Sequence, residues 1–186
     1  MRSMKWAVAA VMTSGLLGCG GSQPSIYRVA IDRLTPATVP TACYRAGQAP
    51  TAPDKTTNMV DTEQWVFWEG VEDVSYLDIG DIGYNMGQAQ GIDISGDAIQ
   101  GEKNDDGEYI FKAERTETES ATEIYTTSAT YTIEKLGETI EGTLALRSAC
   151  AGTDCGGTPT CDVSLNFVGR KINTDQLSVY DTEGGN

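Results

Sequence analysis

From Ala98 to Phe167 the chain repeats one pattern, with apolar residues at every second position and a turn roughly every ten residues. Tyr125, Thr127, Ala129, Tyr131 and Ile133 share one face of a long segment. After Leu136-Gly137-Glu138, the residues Ile140, Leu144 and Leu146 point one way and Glu141, Thr143 and Arg147 the other. Val163, Leu165 and Phe167 repeat the rule. Side chains on a strand alternate between faces, so this is the pattern of an antiparallel sheet with one buried face. Asn104-Asp105-Asp106-Gly107 separates Ala98–Lys103 from Glu108–Arg115. Asp-Gly between two alternating runs predicts a hairpin, because both residues tolerate positive φ. The Thr-rich run from Thr116 to Thr132, including Thr118, Thr122, Thr126 and Thr127, belongs mostly to the solvent face of such strands.

The first half reads less regularly. Ile26 to Asp32 alternates as a short strand, with Tyr27, Val29 and Ile31 on one face. Pro36, Pro40, Pro50 and Pro53 make residues 35–58 irregular or a sheet edge, since proline lacks the ladder donor. Glu63 to Glu69 is rich in aromatic and β-branched residues, and Val74 to Ile79 follows a corner at Gly70. Gly80, Gly83 and Gly87 interrupt the pattern, and Ile92 to Ile94 is a short piece. No long segment has helical periodicity. The expected fold is all-β: an antiparallel up-and-down meander closed into a barrel similar in general shape to the lipocalins. A two-sheet β-sandwich is the alternative. Tyr109, Phe111, Tyr131, Leu144, Leu146, Leu165 and Phe167 are the expected interior.

Ahead of these strands stand Arg2 and Lys5, an apolar run from Trp6 to Val11, then Leu16-Leu17-Gly18-Cys19 and two glycines. A basic start, a short apolar stretch and small residues form a secretory signal. Leu16-Leu17-Gly18-Cys19 resembles the lipobox of bacterial lipoproteins. In that family the signal is cut ahead of the cysteine, whose thiol carries a diacylglycerol and whose new amino group can be acylated. The resemblance implies lipidation at Cys19, a membrane partner reached through that lipid, and an outer-membrane location on the periplasmic face or the cell surface. The domain plan is a signal over 1–18, a tether over 19–25, one β domain over 26–175 and a mobile tail over 176–186.

Past Cys19 lie Cys43, Cys150, Cys155 and Cys161. An even number in an exported domain points to two disulfides, and the spacing is unlike the paired Cys-x2-Cys hooks of structural zinc. Of the three connectivities, the small loop Gly156–Thr160 favours Cys155–Cys161, leaving Cys43–Cys150 to clamp the Pro-rich segment. The rival joins Cys150 to Cys161, which share parity with the inward residues of their strands.

The chain has no histidine and a formal charge of −14. Without histidine, Ser-His-Asp and Cys-His catalysis and His-ligated zinc are absent. The acidic balance, deepened when Arg2 and Lys5 leave, disfavours nucleic acid as a partner. Glu102–Gly107 resembles the opening of an EF-hand loop, but its first ligand is Glu and its twelfth position is Ala113. A plain hairpin turn is expected there, with weak calcium binding as the alternative. Asp78, Asp81, Asp93 and Asp97 sit around glycines. They are read as exposed turn formers rather than as the paired carboxylates of a glycosidase. Trp65, Phe67 and Trp68 fall on both faces of one strand; core packing beneath the Pro-rich segment is the expected role, with surface contact by an exposed ring as the alternative.

No cofactor and no catalytic set is therefore expected. The favoured function is a lipid-anchored envelope protein with a structural or interaction role and an envelope protein as partner. A small-ligand carrier comes second and a carboxylate-based hydrolase third.

Overall fold

The computed structural model describes residues 23–32, 34, 39–43, 61–72, 74–80, 82–87, 90–94, 98–157 and 160–173. Ten strands follow in chain order: β1 (Ser25–Ile31), β2 (Asp61–Glu69), β3 (Val74–Asp78), β4 (Ile82–Gly87), β5 (Gln90–Ile94), β6 (Ile99–Lys103), β7 (Tyr109–Ser120), β8 (Glu123–Leu136), β9 (Thr139–Ala151) and β10 (Cys161–Lys171). Eight of them close into one antiparallel up-and-down barrel in the order β1-β10-β9-β8-β7-β6-β3-β2. The barrel, not the sandwich, is the fold. Its shape is consistent with the lipocalin-like expectation. The glycines at 83 and 87 do not break the chain as the pattern suggests. They lie within β4, which pairs with β5 as a separate hairpin between β3 and β6.

Alternation decides which side faces inward. β10 is buried at Cys161, Val163, Leu165, Phe167 and Gly169, and exposed at each residue between. The seven residues expected inside are all buried, and Trp65, Leu77, Val29 and Ile140 join them. The outer face carries exposed ion pairs, including Lys112–Glu114, Lys135–Glu141 and Arg147–Asp162. An apolar inside with a charged outside is the reverse of a membrane-spanning barrel, whose apolar band faces out.

Aromatic rings fill the middle. The Trp65 ring meets Tyr131 edge-on at 5.4 Å and Phe167 at 4.8 Å, while Phe67 meets Tyr109 at 5.0 Å and Phe111 at 6.1 Å. Edge-to-face contact of this kind adds about 0.5–1.5 kcal/mol per pair beyond area burial. Glycine makes the room. Gly142 lies across the ladder from Phe167, and a Cβ there would come within 2.7 Å of the Phe167 ring. Gly101 stands in the same relation to Phe111.

Strand direction gives the barrel two unlike ends. One holds the connections β2–β3, β6–β7 and β8–β9, each a tight turn, together with the start of β1 and the end of β10. The opposite end holds the long connections: β1 to β2, the β4–β5 hairpin, and β9 to β10. There β7, β8 and β9 run past the rim as a three-stranded tongue. Ile124 still pairs with Thr118 and Ala151, whereas β10 begins only opposite Ser148. The β4–β5 hairpin lies close to β8 and β9.

Both disulfides stand at the long-connection end, and neither expected pairing occurs. The bonds are Cys43–Cys161 and Cys150–Cys155. Cys150 does share the inward parity, but Cys161 is the first residue of β10 and faces Ser148, so Cys150 lies beyond the reach of β10. The chain instead turns at Gly152 (φ 126°) into a short 3₁₀ turn, Thr153–Cys155, that brings Cys155 back to Cys150. A second 3₁₀ turn, Thr41–Cys43, carries Cys43 onto the inward-facing Cys161. Val39, Cys43 and Ile79 are buried with the core there.

Candidate functional site

The residues proposed for surface contact divide by parity. Trp65 is fully buried and Phe67 nearly so, so both take the expected core role and the surface-contact alternative fails for them. They share the inward side of β2, and the Trp65 indole N–H donates to Glu63 Oε2 at 2.9 Å. Only Trp68 is on the outer face. It lies directly across the ladder from Tyr76, and the rings stack at 5.3 Å with planes 13° apart. Gly70 permits this, since a Cβ there would meet the Tyr76 ring at 2.8 Å. The adjoining turn exposes Val71, which is 66% accessible. Tyr76 and Val71 escape a sequence reading because they become neighbours of Trp68 only through the β2–β3 register. This apolar spot stands at the tight-turn end, beside Ser25, which pairs with Phe67.

Of the four aspartates, only Asp78 has a side chain among the described residues. Asp78 closes β3, and its Oδ1 accepts the Gly80 N–H at 2.9 Å, which makes it a turn former as expected. Asp93 lies in β5 opposite Gly83, in a strand rather than on a turn, because the hairpin continues through the glycines. Asp81, Asp97, Cys19 with its lipobox, and the tail over 176–186 lie outside the described residues, as does most of the Pro-rich segment.

The EF-hand-like stretch is a hairpin turn. Asn104 Oδ1 accepts the Glu108 N–H at 2.8 Å and its Nδ2 donates to Glu108 Oε2 at 2.9 Å. The Gly107 N–H donates to the Asn104 carbonyl with Gly107 at φ 88°. Both polar atoms of the Asn104 amide therefore serve the turn. No group of three or more Cys, Asp or Glu suited to a metal occurs among the described residues.

Two tyrosines have perturbed hydroxyls, and both lie at the tight-turn end. Tyr109 donates to Glu69 Oε1 at 2.7 Å; burial and then that carboxylate push its pKa up to about 12. Lys103 Nζ stands 5.1 Å over the centre of the Tyr109 ring. Tyr27 donates to the Gly137 carbonyl at 2.9 Å, and burial raises its pKa. Tyr27 thus fastens β1 to the β8–β9 turn and Tyr109 fastens β7 to the end of β2, both structural tasks.

At the opposite end the exposed polar surface is the tongue. Its outer residues from Glu114 to Ser120 are all exposed. Thr122, at its tip, donates to Asp154 Oδ2 at 2.5 Å, which ties the tongue to the disulfide loop. Comparison of the chain with protein-family models, with curated proteins and with solved structures gives no match.

Proposed function

We propose that the chain is a lipid-anchored protein of the bacterial cell envelope that acts by surface contact, with the anchor at one end of the barrel and the contact surface at the other. The observation that carries this reading is the direction of β1. Ser25 enters the barrel at the tight-turn end, six positions after Cys19, while the long connections, both disulfides and the tongue lie at the far end. A lipid on Cys19 keeps the tight-turn end within about 20 Å of the membrane, because an extended chain spans at most ~3.3–3.6 Å per residue. The loop-bearing end then faces away. Two disulfides accord with an oxidising compartment outside the cytoplasm. A carrier needs an open interior, and the Trp65, Tyr131 and Phe167 rings occupy the middle of this one.

The test is Cys19→Ala in a bacterial host that processes lipoproteins. The wild-type chain is expected to carry lipid mass at its new N-terminus and to sediment with membranes in high salt, since multiple acyl chains hold far more firmly than one. The variant is expected to accumulate uncut or to be released. Identical lipid mass and fractionation in the two would overturn the anchor.

A further inference from the structure

Among the described residues, the outer edge of the tongue has no ladder neighbour. β7 pairs with β8 from Tyr109 to Ser120, with a register shift between Thr118 and Ser120, but with β6 only at Tyr109, Ile110 and Phe111. From Lys112 to Ser120 it therefore has one ladder neighbour among the described residues. In an antiparallel ladder alternate residues turn both N–H and C=O away from their partner. Up to Thr118, every second residue of this stretch thus offers a donor and an acceptor to another strand. Exposed edges of this length are usually shortened, bulged, covered or charged, because they recruit further strands. This one is bulged only after Thr118 and is charged before it, and its charges are arranged.

Consider two copies of Lys112–Thr118, the regular part of this edge, paired antiparallel about a two-fold axis, so that facing residues share a side. With the axis at Thr116, Arg115 faces Glu117 twice and Glu114 faces Thr118, all short of the register shift that follows Thr118. No like charges meet. An axis at Lys112, Glu114, Arg115 or Glu117 sets that charge against itself, and an axis at Thr118 or beyond falls on the register shift. An axis at Ala113 needs Phe111, whose edge β6 already holds. One register survives. Arg115 and Glu117 lie on the same side of the strand, where they form an ion pair at 2.5 Å within one copy. They can exchange this contact for two across the axis.

We infer that the free edge of β7 is a homotypic pairing site: a second copy of this chain adds its own β7 antiparallel, in register about Thr116, and joins the two tongues into one continuous sheet. The pairing stands independently of the lipid anchor. It also has a directional consequence. The two barrels point in opposite directions, so their Ser25 ends lie at opposite extremes of the pair. Anchored copies would join across facing membranes rather than within one.

The experiment uses the full exported chain, purified in detergent, with single cysteines on the exposed edge and mild oxidation read on a non-reducing gel. Directly opposed residues have Cα atoms roughly 4.5–5.5 Å apart, within disulfide reach. Thr116→Cys should give a covalent dimer. Glu114→Cys and Thr118→Cys should give none singly, because each lies about 14 Å from its own copy at ~3.4 Å per residue, and a dimer when combined. Arg115→Glu in the Thr116→Cys background should lower the dimer about tenfold, since opposite charges across a ladder stabilise and like charges oppose. Adding Glu117→Arg should restore it. No dimer from Thr116→Cys, equal yields at 114, 116 and 118, or indifference to the charge reversal would each overturn the proposal.

Discussion

The two ends of the barrel are closed by different chemistry. At the tight-turn end every closure is local or a single hydrogen bond. Asn104 folds its own turn, the Gly70 N–H donates to the Val74 carbonyl at 2.7 Å, and Tyr27 reaches the Gly137 carbonyl. At the other end the connections are long and covalent bonds hold them, one spanning 118 positions and the other five. Short turns carry their own instructions, whereas long connections need an outside fastener. Order at the first end is thus distributed over many weak contacts. Order at the second is concentrated in a few atoms.

The largest effect should come from breaking the longer fastener. By loop-closure entropy, joining residues that far apart stabilises by about 5 kcal/mol, against about 2 for a five-residue loop. Cys43→Ser with Cys161→Ser should therefore lower the urea midpoint more than Cys150→Ser with Cys155→Ser. Both cysteines of the first bond are buried with the core, which adds to the loss. Equal shifts would mean that the long connection does not depend on its bond, and the contrast between the ends would fail.

The same contrast explains what the sequence made legible. Strands β6 to β10 were readable because their alternation is complete and Asp-Gly marks the hairpin. The inward residues followed from parity alone. Parity also placed Trp65 and Phe67 together, but it could not say which side of β2 faced in until Tyr27 of β1 lay opposite Trp65. The disulfides were not readable. Their pairing depends on where β10 begins against β9, an offset of two residues that no local pattern encodes. The free edge of β7 was hidden for a related reason. Among the described residues, β6 pairs with β7 only from Gly101 to Lys103, whereas β7 continues to Ser120.

Alkaline pH should act on the tight-turn end. The Tyr109 hydroxyl ionises near 12 when folded, against an ordinary value near 10, owing to burial and then to Glu69. The unfolded chain therefore loses this proton first. Its contribution to stability is complete below about pH 10 and is lost as pH rises towards 12. Tyr27 is raised in the same sense. Tyr109→Phe should flatten, but not abolish, the fall in the denaturation midpoint between pH 9 and pH 11.5. A slope unchanged from wild type would show that Tyr109 does not hold its proton in the fold.

The smallest effect compares single side chains at the two ends. Asn104→Ala removes the bond from the Glu108 N–H and the bond to the Glu108 carboxylate, both partly buried. A hydrogen bond of this kind contributes about 1 kcal/mol net, and an orphaned partner raises the loss. Thr122→Val removes a bond to Asp154 of only 2.5 Å, but one that is exposed to water. Water replaces that partner at once, so the shorter bond should matter less, within ~0.5 kcal/mol of wild type. The prediction thus runs against bond length and with burial and turn chemistry. It is read from the midpoints of the two variants at neutral pH. If Thr122→Val destabilises as much as Asn104→Ala, the tongue is tied to the disulfide loop by more than the covalent bond beneath it. The loop-bearing end would then share the distributed closure of its opposite.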